Sequence, residues 1–167
     1  MRVMGIDPGL RVTGWGVIET GSYGSGKTAR PTVIEAGVVR TSDSDPLEKR
    51  LNEIYIGLRE VIDAHLPAVV AVEDLYSHYR HPKTSILMGH ARGVVFLAAA
   101  QKSIPVVTYS ATRIKKCIAG NGRAAKSQLQ HMVASTLGLD RIPEPPDVSD
   151  ALAAALTHVS DSRRSLS

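Results

Sequence analysis

Residues 68–72, Ala-Val-Val-Ala-Val, form an unbroken apolar run of strand length. A strand with no polar side chain on either face fits only between two layers, as in sheets that carry helices on both sides. The chain before it supplies material for one layer. Asp45 is expected to cap a helix with Pro46 at its first position, and Leu47, Leu51, Ile54, Leu58, Val61 and Ile62 then recur at helical spacing to about His65, where Pro67 ends the pattern. A helix between two strands makes them parallel neighbours through a crossover. The partner strand is at the N-terminus, where Val3, Met4 and Ile6 run into Asp7 and Pro8-Gly9 turns the chain. The second run ends at Glu73-Asp74. Two parallel strands then each deliver an acid to the carboxyl edge of the sheet, where open α/β sheets bind their ligands. Taken singly, Asp before Pro-Gly is an ordinary turn residue and Glu73 an ordinary strand-end charge.

The other elements follow from pattern. Val12–Thr20 and Thr32–Thr41 alternate and are β-branched, so they read as strands that form an antiparallel meander with the first. Pro82–Lys102 reads as a helix despite Gly89 and Gly93, each costing up to about 1 kcal/mol relative to alanine. Close approach of another helix or a symmetry mate would offset that cost. Ile104–Thr108, interrupted by Pro105, reads as an edge strand. Ser110 caps a helix over 111–118, Gly120-Asn121-Gly122 is a loop, and Arg123–Leu137 is a further helix. Pro143, Pro145 and Pro146 hold the chain extended before a last helix near Val148–Asp161, with Asp147 as its cap. This is one domain over 1–161 with a frayed tail over 162–167.

Composition narrows the classes of function. The chain has 167 residues, 43% hydrophobic and 22% charged, enough for one real core, and aromatics at 4% make that core aliphatic. A net charge of +4 is compatible with a polyanionic partner. The single cysteine, Cys117, rules out an internal disulfide and fits a reducing compartment, so the expected location is the cytoplasm. No signal peptide is expected, and the apolar run Val94–Ala100 is too short to span a membrane.

Three clusters carry chemistry. Asp147 and Asp150 lie three apart and share one helix face. With Asp7 and Glu73 they make four hard oxygen ligands, suited to Mg²⁺ or Mn²⁺ and not to zinc. Two ions about 3.5–4 Å apart activate water on one side of a phosphodiester and stabilise the leaving oxygen on the other. Leu75–Lys83 interleaves Tyr76 and Tyr79 with His78, Arg80, His81 and Lys83, a pattern that suits stacking on bases beside phosphate contacts. Gly21–Thr28 satisfies the phosphate-loop pattern GxxxxGK[ST], and a nucleotide hydrolase is therefore a rival reading. That loop needs a helix after it, and here β-branched Thr32-Val33-Ile34 follows instead.

The segments GIDPGLRVTGWGVIE at 5–19, VAVEDLY at 70–76, GHARGV at 89–94, GNGRAAKSQLQHMV at 120–133 and DVSDALAAALTH at 147–158 closely resemble the RuvC family of Holliday-junction resolvases. The resemblance covers nearly the whole chain. It implies a ribonuclease H-like α/β fold, a mixed five-stranded sheet with its first three strands antiparallel, flanked by helices. It implies a Mg²⁺-dependent endonuclease of recombination and repair, with two ions per subunit and Mn²⁺ as a substitute. Such an enzyme cuts four-way DNA junctions by paired symmetric nicks that leave 5′-phosphate and 3′-hydroxyl ends. Asp7, Glu73, Asp147 and Asp150 stand at the metal-binding catalytic positions. Tyr76 stands where an aromatic packs on bases at the crossover, and Lys115 and Lys126 match basic residues that engage DNA near the cut. The resemblance also implies a homodimer and the RuvA–RuvB branch-migration complex as partner, and the glycine-containing helix 82–102 is the candidate for the dimer interface. The chain departs from the family in a longer loop at 21–31, in His90 where Gln is usual, and in a more basic stretch at His78–His81.

Overall fold

The computed structural model describes residues 1–21, 30–74 and 82–164, those at 82 and 83 by backbone alone. Five strands form one sheet: β1 (Arg2–Asp7), β2 (Val12–Glu19), β3 (Thr32–Arg40), β4 (Val69–Glu73) and β5 (Val106–Tyr109), in the spatial order β3-β2-β1-β4-β5. The first three pair antiparallel, and β1–β4 and β4–β5 pair parallel. The expected mixed sheet is therefore present, and its parallel half is built by the crossover helices α1 (Leu47–His65) and α2 (Pro82–Ala100). Three more helices follow, α3 (Ala111–Ala119), α4 (Lys126–Leu137) and α5 (Pro146–Arg164).

The sheet separates two cores. Met4, Ile6, Trp15, Val17, Val70 and Val72 pack against Ile54, Leu58 and Ile62 of α1 and Ala91, Val95 and Ala98 of α2. Val3, Ile18 and Ala71 on the opposite face pack against α5 and, beyond it, Ile114 of α3 and Leu129 and Val133 of α4. β4 is buried on both faces, which accounts for its unbroken apolar run. Trp15 sits in the first core as a packing residue.

The helix α5 is buried along most of its length and over most of its circumference. Its alanines let it lie unusually close to the sheet, and the strands answer with glycine. Gly5 of β1 is paired with Gly16 of β2. A methyl group at Gly5 would collide with the carbonyl of Ala151 and come within 2.9 Å of the Ala155 nitrogen. At Gly14 a methyl group would meet the carbonyl of Asp147 and lie 2.9 Å from its Cβ.

Several element ends differ from the sequence reading. Pro46 is the cap of α1 and not its first helical residue, because its ψ of 154° is extended, and its carbonyl receives Lys49 N at 3.1 Å and Arg50 N at 3.2 Å. Asp45 instead pairs with Lys49 Nζ at 2.8 Å. The start of α4 is at Lys126, three residues later than Arg123, because Asn121 folds residues 121–124 into a turn: its Oδ1 accepts from Arg123 N at 3.0 Å and its carbonyl from Ala124 N at 3.0 Å. Pro105 precedes β5 instead of interrupting it, and its carbonyl accepts from Val70 N at 3.0 Å. Asp147 lies within the first turn of α5, since Pro146 takes the first helical position that proline favours. That helix continues to Arg164, beyond the point at which a tail was expected. Ser110 caps α3 as read, accepting from Arg113 N at 3.2 Å. Of the phosphate-loop pattern only Gly21 lies within the described residues, and the chain re-enters at Thr32 as a strand antiparallel to β2.

Gly5→Ala forces α5 off the sheet against well-packed backbone. It is expected to destabilise the protein by about 1–3 kcal/mol, the range for overpacking, read as a lower denaturant midpoint with unchanged slope.

Candidate active site

Side chains alternate across a strand. On β1, Met4 and Ile6 face α1 and α2, so Asp7 falls on the α5 face with Val3 and Gly5. On β4, Val70 and Val72 face α1 and α2, so Glu73 falls on the α5 face with Ala71. The parallel register joins Ile6 to Val72 and so carries Asp7 and Glu73 to the same edge, side by side on one face. The turn after Asp7 is held by buried Thr13, whose hydroxyl donates to the Gly9 carbonyl at 2.7 Å.

The other two acids arrive from above. Gly14 is the register partner of Asp7, and the backbone of Asp147 rests on it. Buried Ser149 ties the first turn of α5 to the proline-rich segment by donating to the Pro143 carbonyl at 3.1 Å. One turn further on, Asp150 lines a cavity of about 180 Å³ with Glu73, Ala111, Ile114, Lys115, Lys126 and Leu129. The Asp150 carboxylate is 14% exposed, and its Oδ2 lies 2.7 Å from Lys126 Nζ.

Burial and charge crowding together shape this edge. Burial first, then the negative charges of Asp150, Glu73 and Asp147, push the Asp7 carboxyl from its ordinary 3.8 up to about 8, with Lys126 pulling the other way. Glu73 is raised by burial and by Asp150, and Lys115 and Lys126 oppose the rise. The Lys126 ammonium is raised chiefly by its hydrogen bond to Asp150.

The donor set is four carboxylates with no thiol or imidazole, which suits a hard divalent cation. Such a cation would also offset the burial and the repulsion that raise the Asp7 carboxyl. In the metal-free arrangement, and among the described residues, no three Asp, Glu, His or Cys side chains already close into an ion cage. Lys126 takes one Asp150 oxygen instead.

Of the basic residues singled out from sequence, Lys115 and Lys126 both reach the acids. Tyr76 and Arg80 lie outside the described residues, as does the His78–His81 stretch, and Lys83 is described by backbone alone. Sequence reading missed the Lys126–Asp150 contact. It also missed the glycine seat under α5, although glycines at 5, 14 and 16 in two adjacent strands were its signal.

The model of the family described as crossover junction endodeoxyribonuclease RuvC matches residues 3–158. A protein of that description from Rhodopirellula baltica is 50% identical over 154 residues, covering 92% of this chain and 83% of its own length. Another, from Pelotomaculum thermopropionicum, is 41% identical and covers 95% and 92%. The Thermus thermophilus RuvC structure superposes with a TM-score of 0.88 at 36% identity, over 99% of this chain and 97% of that one. T. thermophilus RuvC in complex with Holliday junction substrate superposes at 0.87 and 33% identity, over 98% and 96%. These likenesses establish the ribonuclease H-like fold.

A carboxyl whose folded value is raised contributes stability below its unfolded value and loses it as pH rises to the folded one. Wild type and Asp7→Asn are therefore expected to have similar metal-free stabilities near pH 4. The variant gains relative to wild type as pH rises toward 8, by at least about 2–4 °C in Tm at pH 7.5, the shift that 1 kcal/mol makes at this chain length. Thermal melts in EDTA across that range read the difference. A variant less stable than wild type at pH 7.5 would contradict the crowding described here.

Proposed function

Because the chain belongs to the RuvC family of crossover junction endodeoxyribonucleases, we propose that it resolves four-way DNA junctions by metal-dependent hydrolysis of paired phosphodiesters. The observation that carries this reading is the meeting of Asp7 and Glu73 at one sheet edge beneath the first turn of α5. Four acids brought from three separated segments to one sheet edge, where their charges raise one another, are costly to assemble for structure alone.

In this reading Asp7, Glu73, Asp147 and Asp150 hold two divalent ions, Mg²⁺ by preference and Mn²⁺ in its place. When bound, the ions supply an activated water and neutralise charge on the leaving oxygen. The chain's own residues bind and orient the DNA. Lys115 and Lys126, which line one cavity with Glu73 and Asp150, hold the scissile phosphate's neighbours on the backbone. Tyr76 stacks on bases at the crossover, with Arg80 and Lys83 on adjacent phosphates. Cleavage leaves 5′-phosphate and 3′-hydroxyl ends. The chain acts as one nuclease domain in the cytoplasm, where recombination intermediates and a RuvA–RuvB branch-migration complex would be met. No helix among the described residues is long and apolar enough to cross a membrane.

Two symmetric nicks require two active sites related by a two-fold axis. We assign the interface to one stripe of α2, where Ile86, Gly89, Gly93 and Leu97 follow each other at helical spacing. Ile86 and Leu97 are 61% and 52% exposed, and among the described residues nothing beyond the helix's own backbone lies within 4 Å of a methyl group placed at either glycine. An apolar stripe with two bare backbone positions suits a second copy approaching closely.

Cleavage of a labelled synthetic four-way junction in Mg²⁺, beside linear duplex and an RNA–DNA hybrid, tests the activity. Wild type is expected to nick the junction at paired symmetric positions, and Asp147→Asn to lose at least about 10²-fold in rate, as for removal of a group that acts in the transition state. Hybrid cleavage alone would point to a generic ribonuclease H-like hydrolase. Junction binding with no nicking in any metal would leave a non-catalytic binder, and ATP binding lost on Lys27→Ala would favour the nucleotide hydrolase. For the interface, Leu97→Glu is expected to shift the protein from dimer to monomer in sedimentation at micromolar concentration without lowering its Tm. A dimer that persists would move the interface elsewhere.

A further inference from the structure

Lys126 is the first residue of α4, and its ammonium reaches across the cavity to Asp150. That placement runs against local preference, since a cation at a helix N-terminus faces the positive end of the dipole. The side chain is 60% exposed, whereas the carboxylate it pairs with is 14% exposed. The ammonium is engaged by Asp150 while most of the Lys126 side chain is open to solvent. Lys115 shares the cavity, but among the described residues no ion pair joins it to an acid at 4 Å or less.

We propose that Lys126 is an exchangeable counter-cation: it occupies Asp150 while the site is free of metal, and metal loading displaces it onto the DNA backbone. This rests on the four-acid reading given above. An ammonium 2.7 Å from Asp150 Oδ2 and a divalent ion on the same carboxylate would repel each other at short range. Asp150 would favour the divalent ion over the singly charged ammonium. Lys126 then becomes an unpaired cation beside the cavity mouth, where a phosphate is the available anion. Metal loading thereby strengthens the grip on DNA through a residue that does not itself touch the metal. The same exchange keeps the metal-free edge from accumulating uncompensated negative charge.

The test uses full-length protein in two measurements. Calorimetric titration of DNA-free protein with Mn²⁺ compares wild type, Lys126→Gln, Lys126→Arg and Asp7→Asn. An exposed ion pair is a weak competitor, so Lys126→Gln is expected to bind Mn²⁺ about two- to fivefold more tightly. Lys126→Arg keeps a competing cation and is expected to stay at or below wild-type affinity. The second measurement is the salt dependence of junction binding in EDTA and in Ca²⁺. Lys126→Gln is expected to match the wild-type slope in EDTA, where Lys126 is engaged by Asp150, and to lose about one unit of log–log slope in Ca²⁺, one phosphate contact. Unchanged or weaker Mn²⁺ binding by Lys126→Gln, or an equal loss of slope in EDTA, overturns the exchange. If wild type binds no Mn²⁺, the four-acid reading and the exchange both fall. If Asp7→Asn abolishes binding while Lys126→Gln leaves it unchanged, the exchange falls alone.

Discussion

Gly5, Gly14 and Gly16 leave bare backbone on one face of the central strands, and α5 rests directly on it. Everything at the candidate site depends on that contact. A helix separated from a sheet by ordinary side chains sits at a distance set by their bulk. Here the helix comes in until the backbone at Asp147 and Ala151 touches β2 and β1. Its first turn therefore descends to the level of the strand ends. Asp147 and Asp150, far from Asp7 and Glu73 in sequence, become their neighbours in space. The alanine-rich composition of α5 is the other half of the same fit, because Ala151, Ala154 and Ala155 are fully buried along it.

The closeness has an electrostatic consequence. Burial first, and then the charges of the other three acids, raise the Asp7 carboxyl to about 8. A fold selected for stability alone has no reason to concentrate carboxylates at an edge where each raises the next. Lys115 and Lys126 compensate in part, from two helices joined by the Gly120–Gly122 loop. The structure is thus most strained in charge where its chemistry is expected, and that strain is what a divalent cation would remove.

The opposite layer does a different job. α1 and α2 cover the other face of the sheet and hold the β1–β4 register that sets Asp7 beside Glu73. α2 also presents its exposed glycine-containing stripe outward, away from the acids' face. One layer builds the acid edge, and the other carries the exposed stripe on the opposite side of the sheet.

By itself the sequence determined the layered α/β architecture, because an unbroken apolar run needs cover on both faces and an amphipathic helix before it forces a parallel crossover. It also placed Asp7 and Glu73 at one edge, since period-two alternation and strand ends are local properties. The motifs at 5–19, 70–76 and 147–158 carried the family. What remained hidden were facts of approach and angle. The cap of α1, the start of α4 and the first turn of α5 each moved by one to three residues, because turns at Pro46, Asn121 and Pro146 are settled by hydrogen bonds to neighbours that pattern does not show. How near α5 comes to the sheet depended on which glycines face it, and that required the strand register. Whether Lys126 points to solvent or to Asp150 depended on where α4 begins and how it packs, so only the tertiary structure decided it.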